Sequence, residues 1–265
     1  MIKLVAIDLD GTLLNDSGEI HPKDSEKIQN LISNGIYVVL ATGRTFKSAQ
    51  HIAKQLNLNV PIVTYNGGLV KDAISQRVIH CSKINLDTAK EILKLAEHQQ
   101  VYARAYIDDV LWEEKENINA KLYAQKHRIS YQVKGSLSKN LDKEPYILLF
   151  KDKQNPSKIH NLTNKLKELN KVSVTSSTPD SVEVMSKGTS KAHALKIICQ
   201  KLNIPKAKTL AIGNSLNDYD MLALAGQGVA MKNSDQALLE RWSKVSQYTN
   251  NQAGVSSIIE KFVKT

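Results

Sequence analysis

Both ends of the chain carry short, continuous apolar runs that alternate with segments in which apolar residues recur every three or four positions. Continuous runs are typical of parallel strands covered on both faces, and the periodic segments are typical of amphipathic helices. The predicted strands are Lys3–Asp8, Ile36–Ala41, Pro61–Thr64, Thr209–Ile212 and Gly228–Met231. The predicted helices are Pro22–Asn34, Thr45–Leu56, Ser190–Leu202, Asp218–Ala225, Asp235–Trp242 and Val255–Val263.

The middle of the chain has a less regular pattern. Asn66-Gly67-Gly68 is typical of a tight turn, although it is also a candidate for a functional loop, and a hairpin is predicted between Leu69–Val70 and Arg77–His80. Helices are predicted further on at Asp87–Gln99, Asn117–His127 and Pro156–Leu169. Strands are predicted at Val101–Ile107, Tyr146–Phe150, Val172–Ser176 and Ser181–Met185.

Together these patterns predict an α/β protein with two parts. Residues 1–82 and 185–265 would form a doubly wound, mostly parallel, Rossmann-like core, because strands and helices alternate at both ends of the chain. Residues 83–184 would be an inserted α+β cap domain, because the alternation there is irregular.

The composition is that of a folded globular protein: of 265 residues, 42% are hydrophobic and 23% are charged. A formal net charge of +10 raises the question of nucleic-acid binding. The excess of basic residues is not concentrated in the middle of the chain, however, because residues 83–184 hold 17 Lys and Arg against 14 Asp and Glu. No basic stripe is interleaved with aromatic residues either. We therefore expect small anionic ligands and no nucleic-acid partner.

The amino-terminal segment does not resemble a signal peptide, because the apolar run that begins at Met1 ends at the acidic Asp8. No apolar run reaches the length of a transmembrane helix. We expect a cytoplasmic protein without a membrane partner. Cys81 and Cys199 support neither a disulfide framework nor a thiolate metal site, and the sequence does not indicate the oligomeric state.

Polar residues follow the predicted strands at the edge where an open parallel sheet binds its ligands. Asp8 and Asp10 lie one residue apart after the first strand, where main-chain amides can also point at an anion. Asn214 and Asp218 follow the strand Thr209–Ile212. If these strands share one sheet, their side chains can converge on a hard cation that prefers oxygen ligands.

Four motifs that follow one another along the chain make the prediction of a site at this sheet edge more specific. They are Asp8-Leu9-Asp10-Gly11-Thr12, Ala41-Thr42-Gly43-Arg44, Lys187-Gly188-Thr189-Ser190-Lys191 and Gly213-Asn214-Ser215-Leu216-Asn217-Asp218. The set resembles the motifs of the haloacid dehalogenase superfamily, and more narrowly those of its Cof-type phosphatases. The resemblance covers the two terminal segments and the rim of the insertion, whereas residues 83–175 match only in general pattern.

The resemblance implies a Mg²⁺-dependent phosphatase that acts on small phosphorylated metabolites such as sugar phosphates. Asp8 would be the nucleophile that forms an aspartyl-phosphate, and Asp10 would serve first as general acid and then as general base. Asp8, the main-chain carbonyl of Asp10, Asn214 and Asp218 would hold Mg²⁺, Asp218 either directly or through a water. The alternative is that the Asp10-Gly11 pair merely forms a turn.

The resemblance also implies a phosphate site made of Leu9, Thr42, Gly43, Lys191 and Asn217. Simpler interpretations exist, since Thr42 and Asn217 could be helix N-caps and Lys191 could be a solvated surface residue. Lys191 lies in the first turn of a predicted helix, however, where the helix dipole disfavours a cation. We therefore expect an anionic partner for Lys191.

Asn214 departs from the commonest pattern of the family, which has an aspartate as metal ligand at this position. An amide oxygen can bind Mg²⁺ but adds no negative charge, so we expect weaker metal affinity rather than lost activity. Two other functions stay open. One is a regulatory protein that binds phosphorylated metabolites and has weakened catalysis; the other is a phosphotransferase or mutase, in which a second substrate replaces water.

The predicted cap would cover the site and select the substrate. Arg104, Tyr106, Asp108 and Glu183 are candidates for contact with the leaving group, although each could equally be an ordinary residue on a sheet surface. The sequence assigns no role to Arg44.

Overall fold

The computed structural model describes residues 1–58 and 60–263. Their thirteen strands are β1 Leu4–Ile7, β2 Tyr37–Leu40, β3 Pro61–Thr64, β4 Leu69–Asp72, β5 Val78–Cys81, β6 Tyr102–Ile107, β7 Val110–Glu113, β8 Ser130–Val133, β9 Ile147–Lys151, β10 Val172–Thr175, β11 Ser181–Ser186, β12 Thr209–Gly213 and β13 Gln227–Ala230. Residue 59 and the last two residues of the predicted core segment 185–265 lie outside the described residues.

Ten α-helices connect these strands within the same residues. They are α1 Pro22–Ser33, α2 Phe46–Gln55, α3 Leu86–His98, α4 Ile118–Lys126, α5 Leu137–Asn140, α6 Pro156–Glu168, α7 Lys191–Lys201, α8 Tyr219–Leu224, α9 Gln236–Leu239 and α10 Gly254–Phe262. None of the helices in the described ranges is both long enough and apolar enough to cross a bilayer.

The two ends of the chain form one parallel sheet with strand order β13-β12-β1-β2. A parallel bridge between Ala41 and Val63 places β3 beside β2, and β3, β4 and β5 continue as antiparallel neighbours. The predicted hairpin between Leu69–Val70 and Arg77–His80 is confirmed, with Val70 opposite His80, although the pairing extends one residue further, to Cys81 opposite Leu69. The predicted α/β class with a mainly parallel core is confirmed as well.

The side chains of β1 explain why helices cover both faces of this sheet. Val5 and Ile7 pack into a cluster with residues of α1, α2 and α10 on one face. Leu4 and Ala6 pack with residues of α7 and α8 on the other face. Full burial of a Val, Leu or Ile side chain stabilises a fold by roughly 1.5–3 kcal/mol, so an uninterrupted apolar strand favours this doubly covered position.

The middle of the chain forms a second, six-stranded sheet with order β10-β11-β9-β6-β7-β8, in which only β7 and β8 pair in parallel. Residues of α3, α5 and α6 cover one of its faces in a cluster drawn only from residues 84–184. The division at residues 82/83 and 184/185 stays a prediction, and β11 runs across the second of these boundaries. We call the middle segment, residues 83–184, the cap.

The predicted helix Asp235–Trp242 is too long, since α9 ends at Leu239. The chain beyond it bonds to the edge of β13: Ala230 N donates to Lys244 O at 2.9 Å, and Ser246 N donates to Ala230 O at 2.8 Å. This pairing needs an extended backbone, so the helix ends early.

Candidate active site

Loops after three neighbouring core strands bring most of the predicted site residues to one edge of the sheet. Asp8 and Asp10 follow β1, Thr42 and Gly43 follow β2, and Asn214 and Asn217 follow β12. All six line one cavity of about 670 Å³, and strands of the cap form the opposite wall. This convergence follows from parallel pairing, because the carboxyl ends of β1, β2 and β12 meet at the same edge.

Lys191 lies beneath this cavity with its side chain fully buried. Its Nζ donates to Asp8 Oδ1 at 2.6 Å and to Asp218 Oδ1 at 2.7 Å. Ser190 caps α7, as predicted, with its Oγ accepting from His193 N at 3.1 Å. The interpretation of Lys191 as a solvated surface lysine is therefore wrong, and the expected anionic partner is a pair of carboxylates.

The surroundings of Asp8 and Lys191 shift the pKa of both groups. Burial, together with the neighbouring Asp218, raises the pKa of Asp8 to about 7 against the opposing effect of Lys191. Burial alone would lower the pKa of Lys191, but Asp218 and Asp8 raise it above its ordinary value. Lys191 is thus charged at neutral pH, and Asp8 needs further positive charge to be fully ionised.

The raised pKa of Asp8 predicts a pH-dependent stability of the metal-free protein. The folded state holds this proton up to about pH 7, whereas an unfolded Asp releases it near pH 4. The stabilisation is therefore complete below about pH 4 and disappears as the pH rises through about 7. In thermal unfolding with EDTA, we expect native protein to lose stability relative to Asp8→Asn over this window. Asp220→Asn, an exposed acid on α8, is the control, and parallel curves for native protein and Asp8→Asn would contradict the prediction.

Three oxygen-bearing groups meet beside Asp8 in an arrangement that suits a hard cation. One terminal atom of the Asn214 amide lies 2.8 Å from the carbonyl oxygen of Asp10, 3.2 Å from Asp8 Oδ2 and 2.8 Å from Thr12 Oγ1. As an oxygen, this atom accepts from the Thr12 hydroxyl but also faces two acceptors, and a cation among them would offset that repulsion. As a nitrogen, it donates to them instead. The donor set of Asp8, the Asp10 carbonyl and Asn214 therefore fits Mg²⁺.

Asp218 belongs to the lysine side of the site. Its Oδ1 accepts from Lys191, and its Oδ2 accepts from the main-chain N–H groups of Asn214 at 2.9 Å and Ser215 at 3.0 Å. Because both oxygens are engaged, this geometry favours the predicted route to a metal through a water over direct ligation. Ser215 is the N-cap of this turn, so the interpretation of Asn217 as the cap is wrong.

Thr42, Gly43 and Leu9 surround the place predicted for phosphate. Thr45 caps α2, which excludes Thr42 as the N-cap. The Thr42 hydroxyl accepts from Arg44 N at 3.1 Å, and Thr42 and Gly43 line the cavity. Leu9 is fully buried, and its main-chain N–H makes no hydrogen bond within the described residues. The phosphate-binding role of these groups stays a prediction, which a free donor at Leu9 favours.

Asn66 links the core site to β11 of the cap. Its Nδ2 donates to the buried carboxylate of Glu183, which also accepts from Ser177 Oγ at 2.5 Å. Asn217 Nδ2 donates to Asn66 Oδ1 at 3.2 Å. Because a carboxylate only accepts, Glu183 fixes the orientation of Asn66, and Asn66 fixes that of Asn217. Asn66 thus connects Glu183 to Asn217, while a functional role for Asn66 and a leaving-group contact for Glu183 stay predictions.

This orientation affects the predicted contact between Asn217 and phosphate. Asn217 Oδ1 is buried without a hydrogen-bond partner within the described residues. Asn217 therefore presents an acceptor, which suits a substrate hydroxyl better than an unprotonated phosphate oxygen. Its role at phosphate stays a prediction.

The loop that holds Asn66 also packs against the start of α7. A Cβ on Gly67 would lie 2.2 Å from Ser190 O, and the φ of Gly67 is +102°. Only glycine permits both the close approach and this backbone conformation. The Asn66-Gly67-Gly68 segment is therefore both a turn and a support for Lys191.

Arg44, which the sequence leaves without a role, forms a two-pronged ion pair with Asp10. Its Nε lies 2.7 Å from Asp10 Oδ2 and its Nη2 lies 2.5 Å from Asp10 Oδ1. Partial desolvation raises the pKa of Asp10, but the hydrogen bonds and charge of Arg44 lower it below its ordinary value. In this conformation Asp10 is ionised and cannot donate a proton.

The cap wall of the cavity carries a second polar cluster. Arg104 Nε donates to the fully buried Glu113 at 2.7 Å, and the Tyr102 hydroxyl bonds to the same carboxylate. Arg104 and Tyr106 line the cavity, as expected of leaving-group contacts. Asp108 does not line it and instead pairs with Lys83 at 2.8 Å. The sequence missed Glu113 because its strand, β7, was not predicted; only the register Arg104↔Glu113 brings the two together.

Comparisons with known proteins agree with this geometry. A family model described as haloacid dehalogenase-like hydrolase matches residues 5–259. Two phosphatases of Bacillus subtilis that are named for 5-amino-6-(5-phospho-D-ribitylamino)uracil are 28% and 29% identical; the alignments cover 99% and 98% of this chain and 96% and 97% of theirs. A crystal structure from Thermotoga maritima is 34% identical, with a TM-score of 0.80 over 100% of this chain and 99% of that one.

Proposed function

The chain belongs to the haloacid dehalogenase-like hydrolases, and we propose that it releases phosphate from small phosphorylated metabolites with the help of Mg²⁺ and an aspartyl-phosphate on Asp8. That it is a phosphoric monoester hydrolase follows from its similarity to phosphatases over nearly the whole chain. The observation that carries the mechanism is the buried contact of Lys191 Nζ with Asp8 Oδ1 at 2.6 Å. The cytoplasmic location stays a prediction.

Asp8 is the proposed nucleophile because it is the carboxylate that both Lys191 and the oxygen donor set reach. A phosphate monoester repels a carboxylate, so the attack needs positive charge on both partners. Lys191 supplies one charge, and Mg²⁺, when bound by Asp8, the Asp10 carbonyl and Asn214, would supply the rest. An oxygen of Asp8 then forms a bond to phosphorus while the bond from phosphorus to the leaving oxygen breaks.

Asp10 handles the proton in both half-reactions. In the first, it gives a proton to the departing alkoxide; in the second, it takes a proton from the water that attacks phosphorus and displaces Asp8. Because Arg44 keeps Asp10 ionised in the present conformation, the first step requires that this ion pair open or weaken. Arg44 therefore controls whether Asp10 can act as an acid.

The cap wall favours a leaving group rich in hydroxyls. Tyr102, Tyr106, Tyr123 and Asn117 line this wall with hydroxyl and amide groups. Three cations also lie on this wall: Arg104 is paired with Glu113, Lys151 is paired with Asp180, and Lys153 is in no ion pair within the described residues. Apart from Lys153, the wall therefore offers mainly hydrogen bonds from neutral groups. We propose sugar and polyol monophosphates as the substrate class, which includes the ribityl phosphate named for the B. subtilis relatives.

A panel of phosphorylated metabolites assayed with and without Mg²⁺ tests the proposal. We expect phosphate release that requires Mg²⁺ and is fastest for sugar and polyol monophosphates. Release without an added acceptor distinguishes hydrolysis from phosphotransfer. Stable binding with no product over hours would instead identify the regulatory protein, and no release from any compound would refute the proposed activity.

Asn214→Asp is expected to lower the Mg²⁺ concentration for half-maximal activity by roughly tenfold. A carboxylate at this position adds a negative charge to the oxygen set around Asp8 and the Asp10 carbonyl. Activity titrated against Mg²⁺ measures the effect. Asn164→Asp, which adds the same charge on the exposed face of α6, is the control. Equal half-maximal concentrations for native protein and Asn214→Asp would show that the amide does not limit metal affinity.

A further inference from the structure

Arg44 also lines a second cavity, of about 500 Å³, at the junction of core and cap. Its walls come from the segment 18–25, from α2 and from the carboxyl end of α4. Among the described residues, Arg44 is the only one that lines both this cavity and the catalytic one. We call it the junction cavity.

The junction cavity is rich in positive charge. Arg44, Lys126 and Arg128 line it, and Glu19 is the only acidic residue on its wall within the described ranges. None of the ion pairs among the described residues includes Lys126, Arg128 or Glu19. Two unpaired cations, Lys126 and Arg128, therefore face the single carboxylate of Glu19, whereas the charge of Arg44 is shared with Asp10.

Two imidazoles complete the polar lining. Arg128 Nη1 lies 3.4 Å from His51 Nδ1, and His127 Nδ1 lies 3.1 Å from Ser48 Oγ. Burial, with the charges of Arg44 and Lys126, lowers the pKa of His127 to about 4 although Asp10 opposes this. His127 is therefore neutral at physiological pH, and its hydrogen bonding adds to the site without adding to the charge.

The guanidinium of Arg44 is only partly used. Its Nε and Nη2 bind Asp10, while Nη1 makes no hydrogen bond within the described residues. Arginine binds phosphate-type oxyanions through such free, planar N–H groups. We propose that the junction cavity binds an oxyanion of the phosphate type between Arg44, Lys126 and Arg128, and that this ligand, once held by Nη1, competes with Asp10 for the charge of the same guanidinium and so weakens that ion pair.

Calorimetric titration with inorganic phosphate in the presence of Mg²⁺ tests for the site directly. Native protein is expected to bind one more phosphate per chain than the double variant Lys126→Gln/Arg128→Gln, or to bind that additional phosphate roughly tenfold more tightly than the variant does. Both residues are exposed, so we expect the variant to fold, which its thermal unfolding checks. Lys121→Gln, an exposed lysine of α4 outside the cavity, is the control. Identical binding to native protein and double variant would overturn the proposal. This comparison does not depend on phosphatase activity, so it can fail or succeed separately from the proposed function.

The ligand could be a free oxyanion or a second phosphate group of the substrate. Measurements of kcat and KM, which rest on the proposed phosphatase function, distinguish these two cases. For a free oxyanion, added sulfate should raise kcat at saturating phenyl phosphate in native protein but not in the double variant. If the ligand is a phosphate group of the substrate, the KM of the double variant for a sugar bisphosphate should be roughly tenfold higher than that of native protein. The KM for phenyl phosphate should be unchanged. If neither difference is found in active enzyme, the competition for Arg44 is refuted.

Discussion

Asp8→Asn is expected to lower kcat by at least about four orders of magnitude while the protein keeps its fold. An amide has the shape of the carboxylate but cannot attack phosphorus, so no covalent intermediate can form. Lys191 keeps its second carboxylate, Asp218, at 2.7 Å, and the buried charge is not left alone. The fold should therefore survive the change.

Phosphate release at saturating substrate and Mg²⁺ measures this loss, and circular dichroism with thermal unfolding checks the fold. Asp220→Asn serves as the control because it removes an exposed carboxylate from the nearby helix α8. Crystals of native protein soaked with beryllium trifluoride should carry the adduct on an oxygen of Asp8. An active Asp8→Asn variant, or an adduct on another residue, would exclude Asp8 as the nucleophile.

Lys191→Met is expected to destabilise the protein by roughly 3–5 kcal/mol and to lower kcat by at least about a thousandfold. The lysine is fully buried between Asp8 and Asp218, so its loss leaves two carboxylates facing each other without a counter-charge. The same change removes the charge that offsets repulsion between Asp8 and the phosphate. Stability and catalysis should therefore fall together.

A second variant separates these two effects. In Lys191→Met/Asp218→Asn only one of the two facing carboxylates remains, and the amide oxygen can still accept from the N–H groups of Asn214 and Ser215. We expect this variant to regain part of the lost stability but none of the activity. Denaturant unfolding and phosphate release measure the two quantities. Lys187→Met, at an exposed position four residues earlier, is the control. Recovery of activity in the double variant would show that the role of Lys191 is only structural.

Arg44, which pairs with Asp10, lies where residues of the core and of the cap meet. Arg44 lies beside residues of α4, a cap helix, in the junction cavity. A movement of the cap that repositions Arg44 would release Asp10 at the moment when a substrate is enclosed. The acid step and closure would then be coupled through one side chain.

The sequence by itself determined the core and which residues meet at its edge. Continuous apolar strands require cover on both faces, which leaves few arrangements besides a doubly wound sheet. Parallel pairing then forces the residues after β1, β2 and β12 to the same edge, so the meeting of Asp8, Thr42 and Asn214 could be predicted from their positions after strands. The first-turn position of Lys191 predicted its anionic partner by the helix dipole.

Only the tertiary structure decided which polar side chains from distant elements contact each other. The pattern missed β7, β8 and α5, three four-residue elements of the cap. Without them, nothing predicted that Glu113 would hold Arg104. The pairing of Arg44 with Asp10 and the chain from Glu183 through Asn66 to Asn217 likewise join residues far apart in sequence. The periodicity of apolar residues indicates which face of a helix or strand points to the core. The partner of a polar side chain depends instead on how whole segments pack against each other.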